Sequence, residues 1–356
     1  MSSGIRFHEG RLQVAFDRVS QAVERGEVPA AVLAVATGRS VVRCQAFSRP
    51  GGDQVRVDTI FALASISKPI TATAVMQLVE DGLLVLSDPL TRYIPEFAQA
   101  GKPTVTAWHL LTHSSGMEEV GWWEALGMAR APAQAYLQAA CRSVLHFVPG
   151  TRYEYNTLSF FLLAELVTRL SGVPFPEYLA RRVLHPLGMV DTSFDPGPDN
   201  PRAAPVRSLD PDPHHAEQAI RTFFLLGAPG GGLWSTAADL VAFGQAYLNG
   251  GRRGDFQLLA PATIELMTRE HTMGLFELVE GQLRPAHYGL GWGKGSLSGH
   301  LPGSPRVFEH SGATGTLLWI DPDWDLVCVF LTNLFGCPDH VRKSALQAVY
   351  SALRRD

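Results

Sequence analysis

The sequence predicts an α+β fold: one antiparallel sheet built from both chain ends and flanked by helices, plus a mostly helical lobe. Three observations support this. Short β-rich runs occupy residues 30–64 and return after residue 285. Between them, residues 70–285 read as helices punctuated by Pro and Gly. Amphipathic helical patterns close both ends, at 8–25 and 338–354. Strands at the two ends of a chain are most economically joined in one sheet covered by the terminal helices. The expected division is a discontinuous sheet domain, 1–68 and 285–356, and a helical domain, 69–284. Ligand sites favour such an interface.

Taken in order, Leu12, Phe16, Val19 and Val23 recur at helical spacing and Gly26 ends the run, which marks an amphipathic helix. Ala30–Ala36 and Val41–Phe47 are β-rich and separated by Thr37-Gly38-Arg39-Ser40, the pattern of a hairpin. After a loop at Gly51-Gly52-Asp53, the apolar run 59–64 delivers the chain to Ser65. Helices are expected at 69–81, 106–112, 131–144, 157–171, 176–184, 236–249 and 260–269. The Pro- and Asp-rich stretch 195–215, including His214 and His215, reads as a long irregular excursion. Gly227–Gly232 reads as a glycine turn, since it lacks the phosphate-loop pattern and follows no clear strand. Strands are expected at 287–292, 306–310, 314–320 and 326–332, before the closing helix.

A chain of 356 residues with 46% hydrophobic and 18% charged residues buries a substantial core. The net charge of −4 and the lack of a basic tract argue against nucleic acid or an anionic membrane as partner. The first residues carry no basic-then-apolar leader pattern, and no apolar run is long enough to span a bilayer. Cys44, Cys141, Cys328 and Cys337 fit no zinc or redox spacing, so reduced thiols and a cytoplasmic location are expected. The expected partner is a small molecule. No cofactor and no metal site is expected, and the oligomeric state is open.

The chemistry centres on Ser65-Ile66-Ser67-Lys68. A serine at the first turn of a helix and a lysine three residues on share a face. A desolvated lysine can take the serine proton and make a nucleophile. The same four residues also fit an N-cap serine with a solvated lysine. Tyr155 follows Pro149-Gly150 and precedes a helix, so its phenol either enters a cleft or packs at the helix start. His310-Ser311-Gly312-Ala313-Thr314-Gly315 joins two strands, and its small residues let a substrate lie close to the backbone or simply make a tight connection. Leu110 to Met117 reads as a helix end plus loop, and Trp122-Trp123 beyond it fit core packing or an apolar cleft wall. Competing chemistries fare poorly. There is no G-x-S-x-G, and His109 and His113 lack the glutamate of H-E-x-x-H.

Five motifs in order carry a resemblance: Ser65-x-x-Lys68; Leu110-Leu111-Thr112-His113-Ser114-Ser115-Gly116; Tyr155-Asn156-Thr157; Gly231 to Leu240; and His310 to Gly315. Together they resemble the serine β-lactamase-related superfamily, most closely class C β-lactamases, D-alanyl-D-alanine carboxypeptidases and family VIII carboxylesterases. The resemblance implies a β-lactamase-like (DD-peptidase) fold and a serine hydrolase. It implies Ser65 as acyl-accepting nucleophile, Lys68 and Tyr155 as its general-base system, and the N–H groups of Ser65 and Ala313 as oxyanion hole. Thr157, His310, Ser311, Gly312, Trp122 and Trp123 become candidate substrate-binding residues.

Two departures bear on substrate. Relatives with strong β-lactamase activity usually carry Lys-Thr-Gly where this chain has His310-Ser311-Gly312, and a histidine is mostly neutral at pH 7. The asparagine of Tyr-x-Asn is replaced by Thr157, which lacks the amide's paired donor and acceptor. The expected activity is that of a carboxylesterase on small esters, with weak or no β-lactamase activity. The alternatives are a β-lactamase or D-amino-acid peptidase or amidase, and a ligand-binding protein on the same fold. The substrate is therefore expected to be a small-molecule ester, amide or lactam.

Overall fold

Every residue of Ala30–Ala36 is apolar because both faces of this strand are covered. Ala30, Val32, Ala34 and Ala36 join one buried cluster, and Ala31, Leu33 and Val35 join another. A strand buried on both faces has no solvent side to carry polar residues. The computed structural model describes residues 5–99, 102–118, 133–197, 199–210 and 212–355. In it this run is β1 of a five-stranded antiparallel sheet, with β2 (Val41–Ser48), β3 (Phe308–Ser311), β4 (Leu317–Asp321) and β5 (Leu326–Thr332). The order is β3-β4-β5-β1-β2. The two chain ends meet where β1 pairs with β5, Leu33 opposite Phe330 and Val35 opposite Cys328.

The helices are α1 (Glu9–Glu24), α2 (Ser67–Glu80), α3 (Ala107–Leu111), α4 (Ala133–Arg142), α5 (Ser159–Ser171), α6 (Phe175–Leu179), α7 (Pro213–Leu225), α8 (Ala237–Leu248), α9 (Pro261–Thr268) and α10 (Asp339–Ala352). Helices α1 and α10 cover the outer sheet face, through Phe16 and Val19 on one and Leu346 and Val349 on the other. Residues Ile5–Phe7 pair antiparallel with Leu353–Arg355 and clasp the two ends, a contact the sequence reading lacks. Helix α8 packs on the inner face. A Cβ at Gly244 would stand 2.7 Å from Val327 Cγ1, so glycine is what lets helix and sheet approach. The division at residues 68 and 285 stays a proposal, since α8 lies within 69–284 yet packs directly on the sheet. Among the described residues no helix is long and apolar enough to cross a membrane.

Three expectations need correction. The stretch 195–215 is not irregular to its end: α7 begins within it at Pro213, so His214 and His215 lie in a helix. Proline at the first helical position is a start signal that the Pro-rich surroundings masked. Residues 287–292 do not form a strand: Tyr288 faces Gly293 across a tight turn. Gly291 adopts φ +77° there, and a Cβ on it would meet Ala72 Cβ at 2.5 Å. The turn buries Trp292 against Tyr247 and Phe308. The strand pair of this region is instead Phe276–Val279 with Gln282–Pro285. The run 59–64 supplies only Phe61–Ala62, which pairs with Trp234–Ser235 rather than with the main sheet.

Candidate active site

Ser65 lies in a 3₁₀ turn, Ala64–Ile66, that runs straight into α2. All residues of α2 from Ser67 to Leu78 are buried, so this helix is a core element whose polar positions need internal partners. Ala64 holds φ +49°, a left-handed conformation costly for a residue with a Cβ. Two segments hold it. On one side Ser67 Oγ donates to Ala64 O (2.7 Å) and accepts from Leu233 N (3.0 Å), while Thr71 Oγ1 donates to Pro229 O (2.7 Å). On the other side Thr314 Oγ1 donates to Ala62 O (2.6 Å) and Thr316 Oγ1 to Leu63 O (2.9 Å).

The Lys68 side chain is fully buried. Its ammonium donates to Gly230 O (2.8 Å), Ser65 Oγ (3.2 Å) and Thr157 Oγ1 (3.4 Å). The nitrogen stands 4.6 Å from the centroid of the Tyr155 ring, a cation–π distance. The glycine turn 227–232 thus supplies a carbonyl to the lysine. Thr157 stands where its hydroxyl meets Lys68. Tyr155 is exposed on one side and lies against His113, with ring centroids 4.4 Å apart and the planes tilted by 32°.

His113 and Asn156 are contributors that the motif reading left without a role. His113 is fully buried at φ +55°. Its Nδ1 accepts the Asn156 N–H (3.0 Å), which places its proton on Nε2. Burial, then the Lys68 charge and His310, hold its pKa well below the usual histidine range. Asn156 caps α5: its Oδ1 accepts from the N–H and the hydroxyl of Ser159, both at 2.8 Å, and its Nδ2 donates to Met117 O. The two residues fix the loop that presents Tyr155 and Thr157. Nothing in their local sequence, polar on both sides, sets His113 and Asn156 apart; their burial does.

β3 and the turn after it form the opposite wall and pack on the Ser65 turn. His310 is buried; its Nδ1–H donates to Ser311 O (2.8 Å) and its Nε2 accepts the Tyr288 hydroxyl (2.9 Å). Burial first, then the Lys68 charge, push its pKa down to about 3. Its ring is therefore uncharged and has both nitrogens engaged within the protein. Tyr288, the partner that fixes this state, is a further residue the sequence reading passed over. At Gly312 a Cβ would lie 2.2 Å from both Leu63 O and Thr316 Oγ1, so only glycine permits this approach to the Ser65 segment. Ala313 is exposed, and its N–H makes no hydrogen bond among the described residues. Such a donor can face a developing oxyanion. Ser311 lines a cavity beside His310. Trp122 and Trp123 lie outside the described residues.

The arrangement therefore brings together a hydroxyl, a buried lysine, a tyrosine ring and an open backbone donor, the parts that acyl transfer requires. The comparisons with known proteins agree. The Beta-lactamase family model matches residues 16–352. Esterase EstB of Burkholderia gladioli is 30% identical, over 87% of this chain and 84% of its own. The D-alanyl-D-alanine-carboxypeptidase/endopeptidase AmpH of Escherichia coli (strain K12) is 27% identical, over 82% of this chain and 74% of its own. The solved structure of EstCE1, a hydrolase with promiscuous acyltransferase activity, is similar in fold, with a TM-score of 0.80 at 22% identity over 96% of this chain and 99% of that one. With a family match across nearly its whole length, the chain belongs to the Beta-lactamase family and is a serine hydrolase.

Proposed function

We propose that the chain is a carboxylesterase acting on small esters through an acyl-enzyme on Ser65, with weak or no β-lactamase activity. The observation that carries this reading is His310. The motif position that holds a lysine in strong β-lactamases is here a buried, uncharged ring with both nitrogens engaged. No fixed cation stands at that position to attract a β-lactam carboxylate, whereas a neutral ester needs none. EstB's name supports the reading through its 30% identity.

In the proposed mechanism Ser65 Oγ attacks the ester carbonyl as its proton passes to the Lys68–Tyr155 pair. The carbonyl oxygen gains negative charge and is held by the Ser65 and Ala313 N–H groups. Collapse breaks the bond to the alcohol oxygen, which leaves with the proton. Water then attacks the acyl-enzyme, the same pair takes its proton, and Ser65 leaves as acid is released. Ester, amide and lactam all pass through this intermediate, so donor choice falls to the walls. We place the activity in the cytoplasm. Intact-mass analysis after a fluorophosphonate probe is expected to show one adduct, absent in Ser65→Ala. An adduct that survives this substitution removes Ser65 from its assigned role.

A peptidase or amidase reading has one observation in its favour, the likeness to AmpH. It requires turnover of D-alanyl-D-alanine peptides at rates comparable to esters.

A further inference from the structure

We propose that the cavity bounded by α8, α9 and the Lys294 segment is a second binding site, which takes a monocarboxylate with an apolar body. None of Ser65, Lys68, Tyr155 and His310 lines it, so the site is independent of which acyl donor the catalytic cleft accepts.

The cavity has a volume of about 620 Å³, which suits a small organic ligand. Tyr247 and Leu248 bring in the end of α8, Ile264 and Thr268 one side of α9, and Lys294 and Leu297 the chain that follows Trp292. Leu248, Ile264, Leu297 and the three prolines at 261, 305 and 322 make much of the wall apolar.

Lys294 is the independent pointer to a ligand. It is only 3% exposed, and its ammonium has no hydrogen bond and no ion pair among the described residues. A buried ammonium whose N–H groups meet no acceptor is costly, and an anion in the cavity supplies the acceptor. Burial holds the Lys294 pKa down to about 8, as expected of a cation without a close counter-ion. Lys294 also lines the smaller cavity beside His310. The charges acting on it nevertheless come from the large one: Glu270 and Arg306 line that cavity, and Asp321 adjoins its Pro322. Glu277 and Glu309 of the smaller cavity are not among them.

The carboxylates of the large cavity are committed or peripheral. Glu270 accepts from Thr272 Oγ1 (3.0 Å) and faces His287 Nδ1 at 3.4 Å. Glu265 is exposed, with the exposed Arg269 one turn further along the chain. Arg306 is held by Asp323 through one nitrogen, at 3.1 Å. The open donors are therefore gathered at one buried ammonium within an apolar wall. That pattern fits a singly charged head on an apolar body, whereas a phosphate dianion calls for several converging donors.

The test is calorimetric titration of the full-length protein with octanoate, its neutral analogue octanamide, and inorganic phosphate. Octanoate is expected to bind with one equivalent, at least about tenfold more tightly than octanamide, and not to be displaced by phosphate. Lys294→Met is expected to weaken octanoate by about tenfold or more. Leu297→Trp keeps the lysine and fills the apolar part of the cavity, and it is expected to weaken octanoate and octanamide alike. It also serves if Lys294→Met does not fold. Octanoate held in the Ser65 cleft would be indifferent to Leu297→Trp, so binding that survives this substitution overturns the site. So does the absence of octanoate binding to wild type, or equal affinity for octanamide. Displacement by phosphate would overturn the assignment to a monocarboxylate.

Discussion

Lys68 and His310 are both buried basic side chains on the walls of one cleft, and they meet different partners there. Lys68 meets three oxygen acceptors, including the Gly230 carbonyl, and its positive charge acts on both His113 and His310. His310 has one acceptor for its N–H, while its other nitrogen receives the Tyr288 hydroxyl. Burial alone penalises charge in both. What separates them is the supply of partners: three oxygen acceptors for the Lys68 amine, against one acceptor and one donor for the His310 ring, which burial keeps neutral. In the proposed mechanism the first wall transfers the proton and the second holds the neutral substrate.

The largest effect should come from breaking the charged wall. Lys68→Met leaves the Gly230 carbonyl without its donor and removes the base system. The expected loss in kcat is roughly 10²–10⁴-fold, measured as ester turnover on protein verified to be folded. Tyr155→Phe is expected to fall in the same range; near-full activity would take the phenol out of the mechanism.

A smaller effect comes from pushing the two walls apart. Gly312→Ala places a methyl group against Leu63 O and Thr316 Oγ1. It should cost about 1–3 kcal/mol in denaturant unfolding and reduce kcat more than it raises KM, because the Ala313 donor moves.

Giving the neutral wall a charge sharpens the contrast. His310→Lys is expected to raise acylation by carboxylate-bearing lactams about tenfold, the value of roughly 1.4 kcal/mol. No change would mean that charge at this position does not choose the acyl donor.

The most modest effect is on stability against pH. His310 titrates at about 3 when folded, against an ordinary value of 6.5. The unfolded chain therefore takes up a proton below 6.5 that the folded protein refuses. The resulting stability is present above 6.5 and is lost as the pH falls toward 3. Between pH 6.5 and 5 one such histidine accounts for about 2 kcal/mol. The readout is the difference between wild type and His310→Gln, which keeps an acceptor for the Tyr288 hydroxyl. Glu309, raised to about 7 by burial, loses stability in the opposite direction, as the pH rises from 4.5 to 7, and cancels in that difference.

Local patterns were legible in the sequence, and contacts between distant segments were not. The Ser65–Lys68 spacing, the helices and the main strands rest on neighbours within one element. Pro69 illustrates the limit. It lacks an N–H, but it sits in the first turn of α2, where N–H groups have no intrahelical acceptor anyway. His113, Asn156 and Tyr288 matter through partners 43, 39 and 22 positions away, a distance that no periodicity encodes. The hairpin 276–285 was readable but too short to stand out. Its turn residues Glu280 and Gly281 both take positive φ, as a tight two-residue hairpin loop requires.

The most direct test of the account is the ratio of kcat/KM for a short-chain p-nitrophenyl ester to that for a chromogenic cephalosporin, on wild type and Ser65→Ala. The account expects the ester to be favoured by at least about 100-fold, which is roughly 2.7 kcal/mol, and both activities to vanish with Ser65. Cephalosporin opening as fast as ester hydrolysis, or ester turnover that survives in Ser65→Ala, would contradict it.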